Sequence, residues 1–279
     1  MNRICDLHTH SRYSDGTASP REIVTQAASL GLAAVALTDH NTVAGLPVFM
    51  QAAAAQGVRA IPGVEISTGY DGRELHIVGL FVTPETYDRI TDFLSVINIR
   101  KEASNRRLID ALAGVGFPLD YEAIRKQHKG NINRAVIAAE MLEKGYISEI
   151  NAAFKGVLSA RNGVYVPPER IPAFEAIAFL RSIGAVPVLA HPYLNMTQEK
   201  LEVFLPEARK HGLIAMETRY STYTPETTEA AIRTAARFGL LESGGSDYHG
   251  GNKPDIALGS GRGSLCVPAD LIDLLERSR

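Results

Sequence analysis

The sequence predicts an α/β barrel interrupted by an all-helical insertion. Three observations predict it. Short apolar runs alternate with helical patterns at both ends of the chain, helical patterns alone fill the middle, and histidines recur where the apolar runs stop. Such alternation is the mark of βαβ units and a largely parallel sheet. A length of 279 residues suits one large barrel.

The elements follow in order. Ile4-Cys5-Asp6-Leu7 reads as a strand, with a helix opening near Pro20. Residues 32–37 read as a buried strand and 44–56 as a helix. Residues 58–66 and 75–81 read as strands, the second a possible hairpin partner of the first across Tyr70-Asp71-Gly72. From Pro84 to Pro168 apolar residues recur at spacings of three and four (Ile90, Phe93, Leu94, Ile97; Leu108, Ala111, Leu112), which is helical periodicity. Further helices are expected over 121–126, 134–144 and 148–155. Alternation then resumes: helices over 172–182, 198–210, 225–238 and 268–276, and strands over 185–190, 213–217 and 240–243. The expected division is a barrel domain from 1–83 and 169–279, with 84–168 as a helical cap.

An apolar fraction of 45% and a charged fraction of 22% are ordinary for a globular protein with a sizeable core. A net charge of −2 argues against an overall grip on long duplex nucleic acid, while leaving room for a locally basic pocket. The N-terminus is polar where a signal peptide needs an apolar run, and no stretch reaches the ~18 apolar residues of a membrane span. Cys5 and Cys266 lack metal-motif spacing. The expectation is a cytoplasmic protein with two free thiols and no membrane partner.

Position makes the histidines informative. Of eight, His8, His10, His40, His76, His191 and His249 lie on or just beyond the end of an expected strand, and strand ends form the active face of an α/β barrel. His128 and His211 fall outside the pattern. Asp15 follows His8 and His10 in the next loop, Glu65 ends a strand, and Asp247 precedes His249 by two residues. Alternate residues on extended chain face the same way, so His-x-His and Asp-x-His each direct two ligands together. A lone strand-end histidine is ordinarily satisfied locally or solvated. Recurrence at one topological place is what makes a metal site the better reading. Six imidazoles and three carboxylates exceed one tetrahedral ion and suit two or three divalent ions such as Mn²⁺, Zn²⁺ or Fe²⁺, with Glu65 the natural bridge. Asp6 and Asp39, each near a ligand histidine, either orient imidazoles or bind backbone amides at the loop start.

Asp6-Leu7-His8-Thr9-His10 with Ser14-Asp15-Gly16, Leu37-Thr38-Asp39-His40-Asn41, Gly63-Val64-Glu65-Ile66, His76-Ile77-Val78-Gly79, Leu189-Ala190-His191-Pro192 and Gly245-Ser246-Asp247-Tyr248-His249 occur in this order. Together they resemble the PHP (polymerase and histidinol phosphatase) family over nearly the whole chain. Asn133-Arg134, Phe154-Lys155-Gly156 and Tyr165-Val166-Pro167 look like its stand-alone phosphoesterases of nucleotides and phosphorylated ribose. The chain departs from that branch at Tyr248, commonly Phe, and at Ala135-Val136, commonly Pro-His. The resemblance implies a distorted (β/α)7 barrel with a trinuclear centre. His8, His10, Glu65 and Asp247 would bind one metal, Glu65, His76 and His191 a second, and Asp15, His40 and His249 a third. Asp247, Glu65, His191 and His249 are taken as the catalytic residues.

Three divalent ions against three carboxylates leave positive charge for a phosphate dianion and a hydroxide, which suits in-line hydrolysis of a phosphate ester. No nucleophile motif or phosphate-cradling glycine loop is evident, and Gly244-Gly245 reads as a tight turn. Arg134, opening a helix, is the first candidate to hold substrate phosphate, with Lys155 and Arg219 after it. The expected substrate is a small phosphorylated nucleotide or ribose: a nucleoside 3′,5′-bisphosphate or a cyclic ribose phosphate. The alternatives are a 5′–3′ exonuclease on short RNA and a non-catalytic structural module. A metal-dependent amidohydrolase is disfavoured because no strand-end lysine is present to bridge metals.

Overall fold

The computed structural model describes residues 4–128, 132–161 and 163–279. Lys129, one of the basic residues of the insertion, lies outside them. The first segment runs β1 (Ile4–Asp6), α1 (Pro20–Ser29), β2 (Ala34–Leu37), α2 (Leu46–Gln56), β3 (Arg59–Tyr70) and β4 (Arg73–Leu80). Four helices follow: α3 (Tyr87–Gly114), α4 (Tyr121–Gln127), α5 (Arg134–Glu143) and α6 (Ile150–Lys155). The last segment comprises α7 (Ala173–Ser182), β5 (Val186–Leu189), α8 (Pro192–Asn195), α9 (Gln198–Lys210), β6 (Ala215–Tyr220), α10 (Pro225–Arg237), β7 (Leu241–Gly245), β8 (Val267–Pro268) and α11 (Asp270–Arg277). No described helix is long and apolar enough to cross a membrane.

Local sequence explains the boundaries that matter. Ser19 and Glu22 form a reciprocal capping box, with Pro20 in the first turn, so α1 begins where the loop carrying Asp15 ends. Asp71 and Gly72, both at positive φ, make the two-residue turn that folds β4 back on β3 in the register Tyr70↔Arg73. The hairpin is therefore the one the sequence suggests, but β3 runs on to Tyr70 rather than ending near Ile66.

The sheet has the order β7-β6-β5-β4-β3-β2-β1-β8. β1 to β3 are mutually parallel, as are β5 to β7. β4 is antiparallel to both neighbours, and the short β8 is antiparallel to β1. The architecture is thus the expected α/β barrel, distorted by one reversed strand and extended by an eighth strand of two residues. It nearly closes where the chain beyond β7 meets the chain beyond β1: Asp247 N–H donates to the His8 carbonyl at 2.9 Å, and Thr9 and Tyr248 form a parallel bridge. Gly244 and Gly245 belong to β7 and do not form a tight turn. A Cβ on Gly245 would lie 2.4 Å from the Cβ of His8, so glycine is what lets the two strands approach.

Alternation along the strands sorts side chains into two layers. Ala34 and Ala36 of β2 face a barrel interior shared with Cys5, Leu7, Val78, Val188 and Ala215. Val35 and Leu37 face the outer layer, where Ile23, Phe49, Ile177 and Phe204 pack from the helices. The helical segment has a third cluster of its own around Leu108, Ile124, Val136, Ile137, Met141 and Leu158. Helix α3 joins the two bodies: Ile90, Leu94 and Ile97 pack on the outer layer, and Leu108 and Leu112 enter the third cluster.

Candidate metal centre

Parallel strands deliver their ends to one rim. His8 and His10 follow β1, His40 follows β2, His191 follows β5, and Asp247 and His249 follow β7. Glu65 lies within β3, which continues past the rim as a hairpin. His76 arrives differently from the expectation: it lies in the first half of β4, and because β4 is reversed, that half reaches the same rim. Backbone conformation adds aim. Asn41, His191 and Asp247 adopt positive φ, which is costly for residues other than glycine and clusters where function demands it.

The nine side chains meet around Glu65. Its Oε1 lies 2.9 Å from His76 Nδ1 and 3.1 Å from His191 Nε2. Its Oε2 lies 3.2 Å from His8 Nε2, 3.1 Å from His10 Nε2 and 3.0 Å from His40 Nδ1. Asp247 Oδ1 is 3.2 Å from His10 Nε2, and Asp15 Oδ1 is 3.2 Å from His249 Nε2. Among the described residues, four groupings have ligand atoms close enough for one ion: His10, Asp15, His40 and His249; His8, Glu65 and His191; His8, His10 and Asp247; His40, Glu65 and His76.

Buried atoms test whether divalent cations fit. His10 Nδ1 and His191 Nδ1 are buried without a hydrogen-bond partner, and the buried Asp15 Oδ1 and Glu65 Oε2 face imidazole nitrogens. A buried polar atom without a partner costs about 1–3 kcal/mol, and these are ligand-type atoms in one spot. Imidazole nitrogens mixed with carboxylate oxygens are the donor set of Zn, Mn and Fe sites. The residues present fit such ions.

Electrostatics agree. Burial opposes charge on His10, yet hydrogen bonds to Asp247 and Glu65 lift its pKa to about 9. Burial likewise opposes charge on His76, and Glu65 and Glu74 lift it to about 10. Burial pulls His40 well below the usual imidazole value. Glu65, Asp15 and Asp247 are held well below the carboxylate range by surrounding cations despite burial. Without metal, protons on imidazoles do the neutralising.

A cavity of about 230 Å³ opens onto this rim beneath the helical segment. Asp15, His40 and His76 form its floor, and Lys101, Arg134, Arg170 and Glu74 line its wall. Arg134 stacks on Tyr165 at 4.2 Å and on Phe154 at 5.4 Å, and reaches Glu74 at 3.8 Å. Arg170 binds the same carboxylate at 2.8 Å. Asn133, which caps α5 through Val136 N–H, donates Nδ2 to Asp15 Oδ2 at 2.8 Å and ties the helical segment to the rim.

Comparisons with known proteins place this geometry. Residues 6–162 match the model of the PHP domain. The chain belongs to the PHP family. It is 33% identical to a 5′-3′ exoribonuclease of Haemophilus influenzae, over 89% of this chain and 91% of that one. It is 28% identical to a 3′,5′-nucleoside bisphosphate phosphatase of Chromobacterium violaceum, over 88% and 86%. Among solved structures, a proposed metal-dependent phosphoesterase from Bifidobacterium adolescentis superposes with a TM-score of 0.87 at 27% identity, covering 99% of this chain and 96% of the other. This PHP protein is a metal-dependent hydrolase of phosphoric ester bonds.

Several residues take places the sequence left open. Asp6 accepts from Ser246 N–H, Ser246 Oγ and Gly259 N–H, and Asp39 accepts from Ser11 N–H, Ser11 Oγ and Ser14 Oγ. Both therefore brace the loops that begin at the strand ends. The carboxylate that orients an imidazole is Glu217: its Oε1 takes His8 Nδ1 at 2.7 Å and its Oε2 takes the His191 amide at 2.6 Å. Sequence reading placed Glu217 only as the end of a strand, and that position was the available signal.

The cations divide. Arg134 lines the cavity, joined by Lys101 and Arg170, which sequence spacing did not single out. Lys155 ends α6 exposed and is not among the residues lining that cavity. Arg219 is bound by Glu242 and by Thr218 Oγ1 at 3.1 Å and also lies outside the lining. A β-bulge between Glu217 and Arg219 breaks the alternation that would have turned both side chains the same way. His211 lies on the surface against Phe174, its Nδ1 on the Glu207 carbonyl.

Proposed function

We propose that this chain removes a phosphate ester from a small nucleotide that carries a second phosphate, a nucleoside 3′,5′-bisphosphate being the form that fits best. The observation behind this reading is the cationic wall. Lys101, Arg134 and Arg170 face the cavity whose floor is the ligand cluster, with Glu74 as their counter-charge. A scissile phosphate over the floor puts a phosphate at the far end of a ribose against those cations. Arginines already held by stacking and by Glu74 lose little freedom on binding it.

Two or three divalent ions would be held as the family resemblance implies: by His8, His10, Glu65 and Asp247; by Glu65, His76 and His191; and by Asp15, His40 and His249. When bound, such ions offset phosphate charge and lower the pKa of a coordinated water to about 7 in favourable cases. The chain does the rest. Glu217 fixes the tautomer and aim of His8 and the backbone of His191. Asn133 fixes Asp15 from the helical side. Burial of His8, His10, Asp15, Glu65, His191, Asp247 and His249 keeps bulk water from most of the charges, while His40 and His76 are partly exposed to the cavity. Residues 84–168 serve as the cap that supplies substrate choice, and residues 1–83 and 169–279 as the barrel that supplies chemistry.

A second reading, 5′–3′ removal of nucleotides from short RNA, is favoured by the 33% identity to an exoribonuclease. A panel of nucleoside bisphosphates, nucleoside monophosphates, cyclic ribose phosphates and short RNA, each with Mn²⁺, Zn²⁺ or Fe²⁺, tests both. Preference for a monophosphate over its bisphosphate would sink the first reading.

A further inference from the structure

The hairpin of β3 and β4 joins the ligand cluster to the cationic wall through one side chain. Glu74 and His76 are two apart on β4, so both project from the same face of the strand. His76 Nδ1 faces Glu65 Oε1 at 2.9 Å, inside the cluster, which leaves Nε2 to carry the ring proton when Nδ1 serves a metal. That Nε2 lies 3.5 Å from Glu74 Oε1. The other oxygen, Oε2, lies 2.8 Å from Arg170 and 3.8 Å from Arg134. Arg170 is set against the same hairpin: Gly69 N–H donates to the Ile171 carbonyl at 2.8 Å, and a Cβ on Gly69 would stand 3.1 Å from that of Arg170.

Glu217 provides the contrast. It gives both oxygens to the cluster, one to His8 Nδ1 at 2.7 Å and one to the His191 amide at 2.6 Å. Glu74 divides its oxygens between an imidazole and two guanidinium groups, and the imidazole contact is a long one. The arginines thus draw on charge that would otherwise act on His76. A phosphate against Arg134 and Arg170 offsets their charge, while each guanidinium, with five N–H groups, keeps one for Glu74. The carboxylate then acts more strongly on the His76 N–H. A ring whose N–H meets a stronger acceptor is a more basic ligand.

We propose that Glu74 is a positioning residue that couples substrate to metal. A phosphate on the cationic wall tightens the cluster's hold on the ion that His76 ligates, and that ion tightens the hold on the phosphate by the same factor. The coupling rests on the reading of the cationic cavity given above. At saturating metal it is silent in turnover, so metal affinity is the quantity that reveals it.

The probes are a nucleoside 3′,5′-bisphosphonate, whose phosphorus–carbon bonds resist hydrolysis, and the two corresponding monophosphonates, which control for direct contact between one phosphonate and the metal. Mn²⁺ affinity of wild type and of Glu74→Gln is measured by chelator competition at a saturating concentration of each probe. In wild type the bisphosphonate is expected to tighten Mn²⁺ at least about fivefold beyond either monophosphonate, and in Glu74→Gln by less than about twofold. A second measurement needs no variant. In Zn²⁺-loaded wild type with ¹⁵N-labelled histidine, the Nε2–H proton of His76 is expected to move downfield with the bisphosphonate relative to the monophosphonates. A bisphosphonate that binds no tighter than the monophosphonates removes the reading of the cationic cavity itself. Tighter binding with no change in Mn²⁺ affinity overturns the coupling and leaves that reading standing. Coupling of equal size in Glu74→Gln, or an unmoved His76 resonance, means that charge acts through space and overturns the role of Glu74.

Discussion

Nδ1 of His8 lies 2.7 Å from Oε1 of Glu217, and the other oxygen of that carboxylate takes the His191 amide. One side chain of β6 thus controls a ring on the chain after β1 and the backbone after β5. The pair leaves His8 Nε2 pointing at Glu65 and His10. Glu217→Gln keeps the size but removes the charge. Metal affinity is expected to fall about 10–100-fold, the usual cost of removing such a partner, while the fold survives. Competition with a chromophoric chelator measures it. Affinity within twofold of wild type would show that the contact only fills space.

Glu65 and Asp247 carry a stronger expectation. Glu65 Oε1 and Oε2 face different histidines, so Glu65→Ala removes a contact from every part of the cluster at once. Asp247→Ala strips only the part nearest Tyr220 and Lys253. Both are expected to abolish turnover, with Glu65→Ala retaining fewer metal equivalents by elemental analysis. Full metal content or wild-type turnover after either change would end the cluster assignment.

Protons are expected to leave as metal enters. In the metal-free protein, His10 at about 9 and His76 at about 10 hold protons at neutral pH, above the ordinary imidazole value near 6.5. Their pairing with carboxylates stabilises the metal-free fold fully below about pH 6.5 and is lost as pH rises through those raised values. A divalent ion needs the neutral ring, so binding at pH 7.5 should release at least about one proton and strengthen with pH until near 9–10. Calorimetry in two buffers of different ionisation enthalpy counts the protons. No release at pH 7.5 would mean these imidazoles are already neutral.

Much of this site was legible because the chemistry is local in sequence. His-Thr-His, Asp-His and His-Pro each follow a run of buried strand residues, so position alone brought nine side chains to one rim. The misreadings share a cause: they depend on strand direction and pairing, which composition does not reveal. His76 was read as a strand end, but it reaches the rim because β4 runs backwards. Arg219, a candidate for substrate phosphate because it lies just past an expected strand, instead falls within β6 beyond a bulge and binds Glu242. Lys101 and Arg170 stand 69 residues apart and line one cavity only because α3 runs from the outer layer of the sheet to the helical cluster.

Arg134 and Arg170 share Glu74, and that geometry predicts a division between binding and turnover. Arg134→Ala or Arg170→Ala should raise KM for a bisphosphate about tenfold or more, since hydrogen bonds to charged groups are worth about 1.5–3 kcal/mol. Turnover at saturation should change little, because neither arginine touches the ligand cluster. Substrates without a second phosphate should be nearly indifferent. Steady-state kinetics on a bisphosphate and its monophosphate separate the two, and equal losses on both would remove the assigned role. Glu74→Gln should act oppositely, freeing cationic charge and lowering KM for the bisphosphate.

Gly245 offers a test of how closely fold and site are joined. Its missing Cβ would lie 2.4 Å from both the Cβ and the amide nitrogen of His8, and backbone cannot yield as a flexible side chain does. Gly245→Ala must push the chain after β7 away from the chain after β1. Overpacking of this kind costs about 1–3 kcal/mol or more. The displacement also separates His8 from Asp247, whose amide donates to the His8 carbonyl. The variant should therefore melt earlier than wild type without metal and regain less stability when metal is added, since the ligands it needs have moved apart. Thermal unfolding with and without Mn²⁺ reads both effects. An equal gain on metal addition in variant and wild type would show that the closure of the barrel and the cluster are independent.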